Sequence, residues 1–155
     1  MFEKLSVINL TQPDQVGIVV KNVNAVVEQY QTLLGIGGFE IVDWPVPGID
    51  PLSTYHGQPA KWKMRTAFAT LGSLQIELVE PLEGRSIFQD FIETRGPGFH
   101  HFRFTVQDID DKLAALEKAN IPLISSGRGM RSNSRWYYFD TTSLLDGVYI
   151  ELRSV

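Results

Sequence analysis

Two glutamates sit inside short apolar runs, Glu77 in LQIEL (residues 74–78) and Glu151 in VYIEL (148–152). A carboxylate in such a run is costly unless it is exposed or has a partner. Strand alternation sets Glu77 beside Gln75 and Val79, opposite Leu74, Ile76 and Leu78, and sets Glu151 beside Tyr149 and Arg153. Gln15 and His101 form a second pair, each at the start of a β-rich run. An amide oxygen, two carboxylates and one imidazole suit a single divalent ion such as Zn²⁺, Ni²⁺, Co²⁺, Mn²⁺ or Fe²⁺. Four protein donors on an octahedral ion leave two positions for a substrate that chelates through two oxygens, a geometry that stabilises an enolate or enediolate.

The elements that must bring these four together are an internal duplication. Residues 13–30 (PDQVGIVVKNVNAVVEQY) lie over residues 99–116 (FHHFRFTVQDIDDKLAAL) without gaps, so that Gln15 falls on His101 and Asn22 on Asp108. LQIEL lies over VYIEL, so Glu77 falls on Glu151. Both halves run from a strand through a polar capping residue into an amphipathic helix. In the first helix Val23, Val26, Val27, Tyr30, Leu33 and Leu34 make the apolar stripe and Gly35 the stop. In the second, Asp108 is the expected N-cap, Ile109, Leu113 and Leu116 are the stripe, and Asn120 and Pro122 the end. Further strands are expected at 39–43 and 61–70 in the first half and at 123–125 and 135–139 in the second.

The expected fold class is therefore α+β: two tandem βαβββ modules with mixed or antiparallel sheets and helices on one side. One domain over 1–155 contains module one at about 13–80, a connecting helix at about 84–95 and module two at about 98–154. Gln15 to Glu77 spans 62 residues against 50 from His101 to Glu151, so the first module carries the longer loop, at 45–59. Two equivalent pairs related by a pseudo-twofold axis meet at one point between the modules.

Composition narrows the function classes. The chain has 155 residues, is 43% hydrophobic and 21% charged, and carries a net charge of −4 without a clustered basic face, which argues against nucleic acid. It has no cysteine, which removes thiolate metal sites and cysteine nucleophiles. No apolar run reaches the ~20 residues of a bilayer span. A cytoplasmic protein with a small-molecule substrate is expected, and an isologous homodimer is the default assembly.

Several other residues have a chemical and a bland reading. His100 faces away from His101 in a regular strand, as a packing neighbour, and joins it only if a bulge alters the register. His56, beside Tyr55 in the long loop, belongs to a polar loop or a lid. Lys61, Lys63 and Arg65 share a strand face that either draws an anion or is simply solvated. Residues 125–135 (SSGRGMRSNSR), with Arg128, Arg131 and Arg135, read as a hairpin before an anion clamp. Tyr137, Phe139 and Tyr149 are expected as an aromatic wall.

From DQVGIVVKN through LQIELVEPL and GPGFHHFRFTVQDID to DGVYIEL, the chain resembles the vicinal oxygen chelate superfamily, which includes glyoxalase I, methylmalonyl-CoA epimerase, extradiol dioxygenases and bleomycin-resistance proteins. The order Gln15, Glu77, His101, Glu151 is similar to that of the zinc type of glyoxalase I. The resemblance implies a cupped, barrel-like mixed sheet with helices on the outside and those four residues as metal ligands. It also implies a glyoxalase-like isomerase, epimerase or lyase in which Glu151 or Glu77 transfers a proton next to a metal-chelated carbonyl of a small 2-oxo or 2-hydroxy compound or thioester. Methylmalonyl-CoA epimerases look similar around GPGFHHFRF but open with His where this chain has Gln15. Residues 53–70 hold no acid to match the further glutamate of those epimerases. The alternative implied by the same family is a metal-free binding protein of the bleomycin-resistance kind, holding an aromatic or cationic ligand between the modules.

Overall fold

The structure is a computed structural model and describes residues 6–130 and 133–155. Thirteen elements follow in order: β1 (Gln15–Val19), α1 (Val23–Leu34), β2 (Glu40–Trp44), β3 (Thr54–Tyr55), β4 (Gln58–Pro59), β5 (Lys63–Leu71), β6 (Leu74–Glu83), α2 (Ile87–Arg95), β7 (Gly98–Val106), α3 (Ile109–Lys118), β8 (Leu123–Arg128), β9 (Arg135–Phe139) and β10 (Tyr149–Ser154). All the strands join one curled sheet in the order β2-β5-β6-β1-β7-β10-β9-β8-β3-β4. The first four form module one and the next four module two, with β1 and β7 antiparallel at the seam. The modules thus pair within one chain.

Register supports the duplication residue by residue. In module one β1 runs parallel to β6 with Gln15 opposite Gln75 and Gly17 opposite Glu77. In module two β7 runs parallel to β10 with His101 opposite Tyr149 and Arg103 opposite Glu151. The same two-residue stagger places each glutamate relative to the first strand of its own module.

Alternation sorts the side chains between three clusters. On the outer face of module one, Ile76, Leu78 and Ala67 pack against Val23 and Val27 of α1. On the outer face of module two, Leu152 and Phe139 pack against Leu116 of α3. The inner face holds the largest cluster, in which Val19, Val79, Met64, Trp44 and Tyr138 meet Ile87, Phe88 and Phe91 of α2. The connecting helix therefore packs into the concave side, while α1 and α3 cover the convex one.

Local signals fix the helix ends. Asn22 accepts from the Ala25 N–H, and Gly35 takes the left-handed conformation at φ 67°. Ser86 caps α2 through the Gln89 N–H. Asp108 does not cap α3: its side chain makes no capping bond and instead pairs with Lys112 at 3.3 Å. Leu33 and Leu34, expected in the buried stripe, are exposed at 75% and 65%. The last turn of α1 overhangs the sheet.

The long segment of module one is not a plain loop. It contains the β3–β4 hairpin, whose tip, His56 and Gly57, has φ of 48° and 79°, the double left-handed conformation of a tight two-residue turn. The hairpin crosses to module two and pairs with β8, Thr54 opposite Ser126. The Thr54 and Ser126 hydroxyls lie 2.8 Å apart and Ser125 Oγ donates to the Thr54 carbonyl at 2.8 Å. Tyr55 donates to Asp90 of α2 at 2.5 Å, which pushes the Tyr55 phenol up to about 12. Among the described residues no helix is long and apolar enough to cross a membrane.

Candidate functional site

The four expected residues come together on the concave face across the β6-β1-β7-β10 floor. Gln15 is 1% exposed, Glu77 8%, His101 0% and Glu151 5%. Their polar atoms share one focus. His101 Nε2 lies 3.1 Å from Gln15 Oε1, 3.1 Å from Glu151 Oε2 and 3.6 Å from Glu77 Oε1. Gln75, opposite Gln15 in the ladder, accepts from the Gln15 amide Nε2 at 2.7 Å and so turns Oε1 of Gln15 toward His101.

The focus is short of hydrogen bonds. Of the four buried side-chain nitrogens and oxygens without a partner among the described residues, two belong here: Glu77 Oε1 and Glu151 Oε2. Buried polar groups are nearly always paired, so their concentration at one spot calls for a missing group. Among the described residues no three His, Cys, Asp or Glu side chains meet as a ready-made metal cage. The separations around His101 Nε2 are nevertheless those of donors on a common ion. Bonds of about 2.1 Å put neighbouring donors roughly 3.0 Å apart at octahedral angles and roughly 3.4 Å apart at tetrahedral ones.

Electrostatics agree with that need. Burial, reinforced by the Glu151 charge, raises the Glu77 carboxyl to about 7 against the lowering pull of His101 and Arg103. Tyr138, 5% exposed, places its hydroxyl 3.5 Å from His101 Nε2. Burial and the Glu151 and Glu77 charges hold its phenol well above 10, so it stays a neutral donor. Arg103 donates to Asp14 at 2.6 Å at the edge of the floor.

Two features escaped the sequence reading, and one stood there only as an alternative. Gly17 lies under the His101 ring: a Cβ there would stand 1.9 Å from His101 Cε1. A glycine inside a strand is the sequence signal of such an approach. The β1–β7 register shifts after Gly17, with His101 opposite Gly17 but Phe99 opposite Ile18. This bulge brings His100 to the buried side with His101, both 0% exposed. Third, the aromatic wall is Trp136, Tyr138 and Tyr149. Tyr137 and Phe139 have the opposite parity and pack toward α3.

Above the floor opens a cavity of about 270 Å³, with Trp44, Met64, Phe68 and Trp136 among its walls and Glu40, Arg103 and Arg153 as charged lining residues. Glu40 is an acid of module one outside the acid-free stretch 53–70. Gly127 leaves room for the Trp136 ring, 2.3 Å from where a Cβ would stand. The β8–β9 hairpin contributes Gly129 and Met130 to the lining, while Arg131 lies outside the described residues. Lys63 and Arg65 pair with Glu83 and Asp43 and do not line the cavity. His56 sits at the β3–β4 tip, in edge contact with Tyr55.

Comparison with known proteins places this geometry. A sequence profile for the Glyoxalase/Bleomycin resistance protein/Dioxygenase superfamily matches residues 14–139. The uncharacterized protein YqjC of Bacillus subtilis (strain 168) is 32% identical over 90 residues, covering 58% of this chain and 64% of that protein, less than two thirds of its length. The crystal structure of methylmalonyl-CoA epimerase from Mycobacterium tuberculosis superposes with a TM-score of 0.65 at 26% identity, covering 94% of this chain and 88% of the other. A Streptomyces coelicolor methylmalonyl-CoA epimerase variant in complex with 2-nitronate-propionyl-CoA gives 0.63 at 23% identity, covering 94% and 98%, a likeness of fold alone. With a profile spanning both modules and the curled sheet the same, the chain belongs to the glyoxalase/bleomycin resistance/dioxygenase superfamily.

Proposed function

We propose that the chain is a metal-dependent isomerase or epimerase that moves a proton at a carbon next to a carbonyl of a small 2-oxo or 2-hydroxy compound or thioester. The observation that carries this reading is the pair of buried, unpartnered oxygens, Glu77 Oε1 and Glu151 Oε2, within 3.6 and 3.1 Å of His101 Nε2. Two carboxylates in a dry site repel each other, and a divalent cation at their focus removes that repulsion. Gln15 and His101 complete the donor set without adding charge. When bound, such an ion supplies Lewis acidity, lowering the pKa of a C–H beside the chelated carbonyl.

The chain's own residues supply the rest. Glu77 and Glu151 come from strands on opposite sides of the β1–β7 seam, and Glu151 or Glu77 moves the proton. Tyr138, kept neutral, offers a hydrogen bond beside them without adding charge. The apolar walls exclude water, and Arg103 and Arg153 favour an anionic substrate. Glu40 is a further acid of the lining.

The deciding measurement is metal content by elemental analysis of untagged protein, in wild type and Glu151→Ala, followed by proton NMR of candidate 2-oxo acids and thioesters in D₂O. About one divalent ion per chain, lost in the variant, with exchange of the α-proton only in the loaded wild type, is the expected result. No ion after incubation with Zn²⁺, Ni²⁺, Co²⁺ and Mn²⁺ overturns the reading. The aromatic walls then favour the second one, a metal-free protein that sequesters an aromatic ligand.

A further inference from the structure

His100 takes no part in the chemistry above, yet it is fully buried against the site. The bulge in β7 brings its ring beside that of His101, with the two Nδ1 atoms 2.9 Å apart. Tyr149 stacks on it at 4.5 Å and 16°, and Phe88 and Phe91 stand 4.9 and 5.0 Å from it. Its other nitrogen, Nε2, has no hydrogen-bond partner among the described residues.

Two imidazole nitrogens at this distance share one proton: one ring donates and the other presents its lone pair. Two arrangements satisfy that rule. In the first, His101 is protonated at Nε2 and donates to Gln15 Oε1 at 3.1 Å, while His100 donates from Nδ1 to His101 Nδ1. In the second, His101 is protonated at Nδ1 and donates to His100 Nδ1, so its Nε2 lone pair faces Glu77 and Glu151. His100 then carries its proton on the solitary Nε2. Without a cation, the second leaves Gln15 Oε1 without the His101 donor and points a lone pair at Glu151 Oε2, 3.1 Å away, which favours the first. A ligating nitrogen carries no proton, so a bound cation demands the second.

We propose that His100 is a positioning residue that sets the tautomer of His101, and that cation binding switches the pair from the first arrangement to the second. The inference rests on the metal reading of the site. The protons balance. Each arrangement holds two N–H groups on the pair, and the proton between the Nδ1 atoms changes owner. The proton leaving His101 Nε2 is matched by the one gained at His100 Nε2, so the pair itself releases none.

The test compares wild type with His100→Asn, whose amide oxygen keeps an acceptor near the Nδ1 position, and His100→Phe, whose ring keeps the packing and loses the acceptor. Zn²⁺ affinity by competition with a chelating dye is the first readout. His100→Phe is expected to weaken binding by about 10- to 100-fold, and His100→Asn to stay within about threefold of wild type. Long-range ¹H–¹⁵N NMR of wild type is the second, and should show His101 protonated at Nε2 without Zn²⁺ and at Nδ1 with it. Wild-type affinity in a folded His100→Phe, or the same protonated nitrogen on His101 in both states, overturns the inference and leaves the metal reading standing. If wild type binds no ion at all, both fall together. If His100→Phe does not fold, the wild-type spectra decide.

Discussion

Chelator-treated Glu77→Gln protein is expected to be more stable than wild type at pH 8.5, although the substitution removes a residue of the site. Burial and the neighbouring Glu151 charge raise the Glu77 carboxyl to about 7 from its ordinary 4.5. A raised carboxyl means that the folded chain binds the proton more tightly than the unfolded chain. That stabilisation is complete below pH 4.5 and is lost as pH rises through about 7. At 1.36 kcal/mol per pH unit, the gap corresponds to roughly 3 kcal/mol lost by metal-free wild type at alkaline pH. The variant, with a neutral amide in place of the carboxyl, loses none of it. Urea unfolding followed by tryptophan fluorescence, in EDTA at pH 5 and pH 8.5, measures the difference directly. The two proteins should agree within about 1 kcal/mol at pH 5 and separate by roughly 3 kcal/mol at pH 8.5. Adding Zn²⁺ at about 1,000 times its Kd should then reverse the order, because wild type gains about 4.1 kcal/mol and the variant little. A metal-free wild type as stable as the variant at pH 8.5 would refute the electrostatic account of the site.

Two further substitutions test how the scaffold holds the site. Gly17→Ala should push the His101 ring out of place, because the added Cβ would stand 1.9 Å from Cε1; the expected outcome is a stability loss of about 1–3 kcal/mol with metal content well below one ion per chain, read by elemental analysis on folded protein. Tyr55→Phe removes the hydrogen bond to Asp90 while Asp90 keeps Arg85 at 2.9 Å, so the loss should be about 1 kcal/mol. Hydrogen exchange should quicken at the His56 and Ser126 amides that stitch the hairpin to β8, and unchanged exchange there would show that the bond does not hold the strap.

Most of the floor was legible in the sequence because strand alternation is strict. One polar residue in an apolar run has a single face to occupy, and the repeat of LQIEL as VYIEL fixed which residues were equivalent. Asn22 and Gly35 were readable for the same reason: a cap and a stop act within one turn. Tyr138 was not, since four aromatics in succession (Trp136, Tyr137, Tyr138, Phe139) suit either parity and only packing on α3 decides. The inward turn of His100 needed the register shift opposite Gly17, which depends on a second strand far away in sequence. The β3–β4 hairpin hid because its tip is His-Gly rather than the more recognisable Asn-Gly, and because its partner is in the other module.

That crossing also bears on how the protein avoids associating with itself. An unpaired strand edge is a template on which another chain can add. The outer edge of β8 would be such a template, six residues long, and the strap from the first module fills it. The new edge, β4, is two residues ending in Pro59, and a proline has no N–H to offer an incoming strand. At the opposite end of the sheet β2 carries Glu40 and Asp43, charges that discourage the same addition. Removing the strap would therefore uncover a strand whose Ile124 is otherwise buried, and the truncated protein would be expected to aggregate.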